Sequence, residues 1–103
     1  GGAMASTILA DVKLSMGISS NDYDSDITAT IASAKQQMSM SGLKNIDDTD
    51  PLTALAIQMY CKANYNFQGD AERWEKRFEQ TINGMAKSTE YGEEADESDL
   101  ETN

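Results

Sequence analysis

A chain of 103 residues with 18 acidic and 8 basic side chains, a net charge of −10, one cysteine and no histidine has room for one domain with one modest core. The missing histidine and the single cysteine exclude His-based catalytic dyads, zinc fingers and disulfide frameworks. The negative balance argues against a surface that grips phosphates, because nucleic-acid affinity rests on Lys and Arg displacing counterions. No apolar run approaches the roughly 18 residues of a membrane span, and no basic and apolar blocks open the chain, so a soluble protein without a secretion address is expected.

Residues 1–5 read as a lead, with Gly1 to Ala3 ahead of Met4 having the look of a tag remnant. The domain then runs over residues 6–88, and its periodicity is helical throughout. Ile8, Leu9, Val12 and Met16 follow one helix face, with Ser6 as the expected N-cap and Gly17 past the end. A second helix is expected to begin near Asn21 or Asp22, where Asp22, Asp24 and Asp26 complement the helix dipole. Its stripe is Ile27, Ile31, Ala34 and Met38, and Gly42 stops it. The third has the clearest start, Asp50 as N-cap and Pro51 at the first position, where the missing amide costs nothing. Leu52, Leu55, Ala56, Met59 and Ala63 make its predicted face, widened by Ile57, Tyr60 and Cys61, so this helix should be central. After Tyr65 to Gly69, Asp70 is the expected cap of a fourth helix with the stripe Trp74, Phe78, Ile82 and Met85. Residues 89–103 carry seven acids and no base, and their only apolar bulk is Tyr91 and Leu100, so they read as a flexible acidic tail. The predicted fold class is all-α, a small four-helix domain followed by a disordered acidic C-terminal segment.

Three features invite a functional reading and have simpler ones. Asp22, Asp24 and Asp26 copy the opening of a calcium loop, but its sixth and twelfth positions, a glycine and a bidentate glutamate, are Ile27 and Ser33 here. An acid-rich helix start is the default. The mixed run Glu72, Arg73, Glu75, Lys76, Arg77, Glu79 reads as a solvated helix face, with Glu72 and Lys76 four apart in the favourable order. Cys61, mid-helix among Met59, Tyr60 and Ala63, reads as a small buried hydrophobe with no histidine to activate it. No catalytic set, metal site or cofactor site is expected.

The aromatic residues carry more. Five of the seven fall between Tyr60 and Phe78. Trp74 and Phe78 are expected in the core of a helical hairpin. Tyr65 and Phe67 sit around the turn, where a small domain has little depth to hide them, which makes them candidates for a contact between subunits. Oligomerisation would also help a domain of this size, given its unfavourable surface-to-volume ratio.

Four stretches in order, 10–18 (ADVKLSMGI), 22–34 (DYDSDITATIASA), 50–65 (DPLTALAIQMYCKANY) and 69–91, resemble the head-tail connector proteins of long-tailed bacteriophages, also called portal adaptors or head-completion proteins. The likeness lies in a first helix with V-K and a following G-I, an acid-rich start to the second, a helix ending near K-A-N-Y, and a charged aromatic helix with the exit Ser88-Thr-Glu-Tyr91. It runs from about residue 8 to residue 91. The resemblance implies a non-enzymatic α-helical adaptor, a ring-shaped and dodecameric homo-oligomer on the portal vertex. Its implied partners are the portal protein and the next head-completion or tail protein, and its implied place is the virion after assembly in the host cytoplasm. DNA would pass through its channel without specific binding, and carboxylates lining a lumen would repel the DNA backbone and let it slide. Tyr91, at the exit of the last helix, then suits an anchor onto a neighbour or the portal. A different class also fits the charge: an acidic inhibitor or DNA mimic occupying a basic groove.

Overall fold

The computed structural model describes residues 7–92, which form four α-helices and one short 3-10 turn, with no strand among the described residues. Helix α1 spans Ile8–Met16, α2 Asp24–Met40, α3 Pro51–Asn64 and α4 Ala71–Ala86, with the 3-10 turn at Phe67–Gly69. The all-α fold with four helices is as the periodicity predicts.

Local chemistry sets each boundary. Ser6 lies outside the described residues, and Thr7 is the cap of α1, its hydroxyl accepting from the Ala10 amide at 3.1 Å. Both α1 and α2 end on a glycine with positive φ, Gly17 at 72° and Gly42 at 98°. The amides of Ile18 and Leu43 then reach back to the carbonyls of Lys13 and Met38, the signature of a left-handed helix stop. Helix α2 starts later than expected, and no side chain caps it. The reason is competition: Asn21 Oδ1 accepts from Lys13 Nζ at 2.9 Å, and Asp24 pairs with the same ammonium at 2.8 Å. The acids at this end tie α1 to α2. Asp50 caps α3 as predicted, accepting from the Thr53 amide at 3.0 Å and the Thr53 hydroxyl at 3.2 Å. At α4 Asp70 holds the N-cap position as expected, but its side chain caps no amide. Asn66, in a left-handed conformation, accepts from the Ala71 amide at 3.1 Å instead.

Helix α3 is the element on which α1, α2 and α4 all pack, and α4 packs chiefly on it. The stripe of α2 is buried as expected, and so are Phe78, Ile82 and Met85 of α4. Of the predicted face of α3, Ala56, Ile57, Met59 and Cys61 are buried as expected, and the face is rotated away from the two leucines. Thr53, Ala54, Ala56, Ile57, Met59 and Cys61 are inside, whereas Leu52 and Leu55 are 37 % and 46 % exposed. Thr53 can be buried because its hydroxyl and amide are both satisfied by the Asp50 cap. Small residues on this face let three helices approach one.

After α4 the chain turns back instead of leaving. The Lys44 amide donates to the Tyr91 carbonyl, and Gly92 is buried against the end of α4. A Cβ at Gly92 would overlap the Ala86 carbonyl group, so only glycine fits. Residues 89–92, expected to begin the tail, thus belong to the packed domain; the rest of that segment, residues 93–103, lies outside the described residues.

The rotation of α3 is open to measurement. Ile57→Ala removes a fully buried side chain and should cost about 2–5 kcal/mol in denaturant unfolding. Leu55→Ala should cost under about 1 kcal/mol. Equal losses at the two positions would return α3 to the orientation that the leucine spacing suggests.

Candidate functional site

Tyr65 closes α3 and Phe67 opens the 3-10 turn, and the structure brings the two together. The Tyr65 hydroxyl donates to the Asp26 carboxylate on α2. Thr30 Oγ1 lies 2.9 Å from the Tyr65 oxygen and 3.0 Å from the Asp26 backbone carbonyl, so its one hydroxyl proton is shared between those two acceptors. Burial and the bond to Asp26 push the Tyr65 hydroxyl above its ordinary pKa, so it stays protonated and the contact persists. The tie anchors the hydroxyl while leaving the residue 37 % exposed.

Beside these rings lies an open cleft of about 360 Å³. Met16 and Ile18 at the end of α1, Tyr23 and Ile27 at the start of α2, and Tyr65 and Phe67 line it, with Asp26 as its one charged residue. A larger groove of about 720 Å³ separates α2 from α4. Its floor holds Tyr60 and Phe78, packed edge-to-face at 5.2 Å, but Gln37, Ser41, Asn64, Glu75, Glu79 and Asn83 surround it with polar groups. The smaller cleft is the better candidate for a protein contact, being apolar with exposed aromatic area. Tyr23, 60 % exposed, is the contributor that the sequence reading missed; an aromatic residue set among aspartates at a helix start was the available signal.

Phe67 also faces the other way. Its ring lies 6.2 Å from that of Trp74, which is half-buried at the edge of the domain and not in the core with Phe78. The Trp74 indole N–H donates to the Phe67 carbonyl at 3.3 Å. Lys62 Nζ stands 4.5 Å from the Trp74 ring centre, and the guanidinium carbons of Arg73 and Arg77 stand at 5.2 and 5.7 Å.

Tyr91 is placed elsewhere. Its hydroxyl donates to Asp50 Oδ1 at 3.2 Å, at the start of α3, about 21 Å along the helix from Tyr65. Its ring packs against its own domain's core. Asp50 therefore holds the α3 cap with one oxygen and the C-terminal turn with the other. Cys61 is fully buried, and burial pushes its thiol up to about 12, which leaves almost no thiolate at neutral pH. Among the described residues no group of three His, Cys, Asp or Glu side chains could hold a metal ion, and no helix is long and apolar enough to cross a membrane.

The cleft of Tyr23, Tyr65 and Phe67 is the candidate contact surface of this small all-α domain. The sequence matches the family model described as phage connector protein over residues 8–92, and the chain belongs to that family. No curated protein and no solved structure matches it. The match spans every helix and stops at Gly92, the residue that seals the domain.

The Asp50–Tyr91 tie sets a pH window. The Thr53 amide foremost, with the Tyr91 hydroxyl also contributing, holds the Asp50 carboxyl below its usual range. Its stabilisation is present above the unfolded value of about 4 and is lost as pH falls through the folded one. Desolvation first, then the Asp50 bond, pushes the Tyr91 hydroxyl up, so its share is present below about 10 and is lost as pH rises further. Tyr91→Phe should therefore lower the thermal midpoint between about pH 4 and pH 10, and the difference from the parent should shrink outside that window. A difference that stays constant down to about pH 2 would show that the Asp50 carboxylate is not the partner on which the hydroxyl's contribution rests.

Proposed function

We propose that this phage connector protein is a structural adaptor of the virion. It assembles as a ring, dodecameric in the mature particle, on the portal vertex, and presents a docking surface to the next head-completion or tail protein. The observation that carries this reading is the unfilled apolar cleft of Tyr23, Tyr65 and Phe67, in a chain whose family is that of connectors. A ring needs two different faces that meet across one interface and close on themselves. The domain has two chemically distinct ends available along α3: the aromatic cleft at its C-terminal end, and the Tyr91 turn at its start. Tyr65 and Phe67 are the proposed contact residues on the first face, and Tyr91 holds the second in shape while offering its remaining ring surface. The net negative charge suits a channel through which DNA slides without being held.

The acidic-mimic reading is weaker, because several carboxylates that would have to imitate phosphates are engaged inside the domain. Asp24 pairs with Lys13, Asp48 with Lys35 at 2.6 Å, and Asp26 and Asp50 accept from tyrosines.

Assembly with the portal protein, followed by electron microscopy and mass measurement, tests the proposal. Rings should form with the parent chain, and Phe67→Ala combined with Tyr23→Ser should weaken subunit association at least about tenfold, as loss of aromatic anchors does. Helical content should be unchanged, since neither ring belongs to the buried core. Rings that form equally well with the double variant would remove the cleft from the interface, and a monomer that binds a basic nucleic-acid-binding protein would overturn the adaptor reading.

A further inference from the structure

We propose that the surface formed by Lys62, Arg73, Trp74 and Arg77 is a docking site for an acidic peptide segment, and that its occupant is the stretch from Glu97 to Glu101 of the same chain. In a protein of net charge −10, four of the eight basic residues fall within residues 62–77, and three of them surround the only tryptophan. The indole is fixed by its bond to the Phe67 carbonyl, so the cations stand around a rigid platform. Attraction to a ring face leaves the N–H donors of an ammonium or guanidinium unspent, and a guanidinium lying against an aromatic ring still directs its in-plane N–H groups to a carboxylate.

Those donors have little else to bind. Arg73 meets Asp70 only at 3.6 Å, with both side chains about half exposed, a pairing of small worth. Lys62 and Arg77 have no carboxylate within 4.0 Å among the described residues. Residues 93–103 meanwhile hold six acids, Glu93, Glu94, Asp96, Glu97, Asp99 and Glu101, with no base. Charge complementarity of this kind, between a cationic aromatic surface and an acidic peptide, is a recurring recognition mode. DNA is the poorer occupant, because its approach is opposed by the rest of the molecule's charge.

Reach selects which acids arrive. Gly92 sits beside Ala86, the last residue of α4. Trp74 is twelve residues earlier on the same helix, about 18 Å away along its axis. An extended chain covers 3.3–3.6 Å per residue, so Glu93 and Glu94 reach no further than about 7 Å, whereas Glu97 reaches about 17 Å and Asp99 and Glu101 pass beyond. Tethering keeps the segment at an effective concentration near millimolar, enough for a contact made of exposed charges.

The indole cross-peak of Trp74 is unique in the chain and reports on the surface directly. In the full-length protein at about 20 mM salt it should differ in position from that at about 0.5 M salt, where the contact is screened. Neutralising Glu97→Gln, Asp99→Asn and Glu101→Gln together should move the low-salt peak to the high-salt position. Glu93→Gln with Glu94→Gln should leave it where the parent has it. Lys62→Glu with Arg77→Glu should abolish the salt response while helical content is retained. The proposal fails if neither salt nor the triple neutralisation moves the peak, or if the Glu93 and Glu94 pair matters equally. It fails also if the shift disappears on about hundredfold dilution, which would make a second copy the occupant, or if a short DNA duplex displaces the segment at low salt. None of these readouts depends on ring formation, so their failure and that of the adaptor reading are separable.

Discussion

The geometry of this domain hangs on the burial of one helix. Helix α3 has fourteen residues, and α1, α2 and α4 all pack on it, α4 on little else. Ala54, Ala56 and Cys61 keep its surface narrow, and Ile57 and Met59 supply the bulk that fills the space between its neighbours. Close packing of this kind transmits displacement, since a well-filled core has few voids to absorb it. The aromatic cleft begins where α3 ends and the C-terminal turn is held where it starts, so both sites take their positions from the same rod.

Much of this was legible in the sequence, and the misses share a cause. The stripe of α2, the Asp50-Pro51 start and the glycine stops of α1 and α2 are local signals, and the structure uses them as the spacing predicts. The orientation of α3 was not legible because a helix that is apolar over most of its circumference has no single phase. Leu52 and Leu55 draw the eye by size, yet the packing of three partners favours Thr53 and Ala54 beside the predicted Ala56 and Ile57. The start of α2 is not legible locally because a lysine eight residues before Asn21 competes for the oxygen that would cap it. Trp74 lies at the edge of the core for a related reason: a helix that rests on one neighbour buries the middle of its stripe more deeply than the ends.

Net charge was similarly informative only in part. The value of −10 describes the chain but not each part of its surface, because residues 1–88 hold all eight bases against eleven acids. Lys13 and Lys35 are spent on ties between segments, at 2.8 and 2.6 Å. The bases near Trp74 form the one region among the described residues where cations gather around an aromatic ring. Of the candidate contact residues, Tyr65 and Phe67 line the apolar cleft, and their position around a turn is the local signal that singles them out. The long-range partnership of Tyr91 with Asp50, 41 residues apart, had no counterpart in any local pattern.

Asp50 joins the first turn of α3 to the turn that ends the folded domain, and Lys44 grips the same turn through the Tyr91 carbonyl. Considered mechanically, this is a load path. A pull applied to the chain beyond Gly92 enters at the Tyr91 turn and is delivered through Asp50 to the axis of the central helix. It does not peel α4 away from its end. Tension from that segment then falls on the best-packed element of the domain and not on the least.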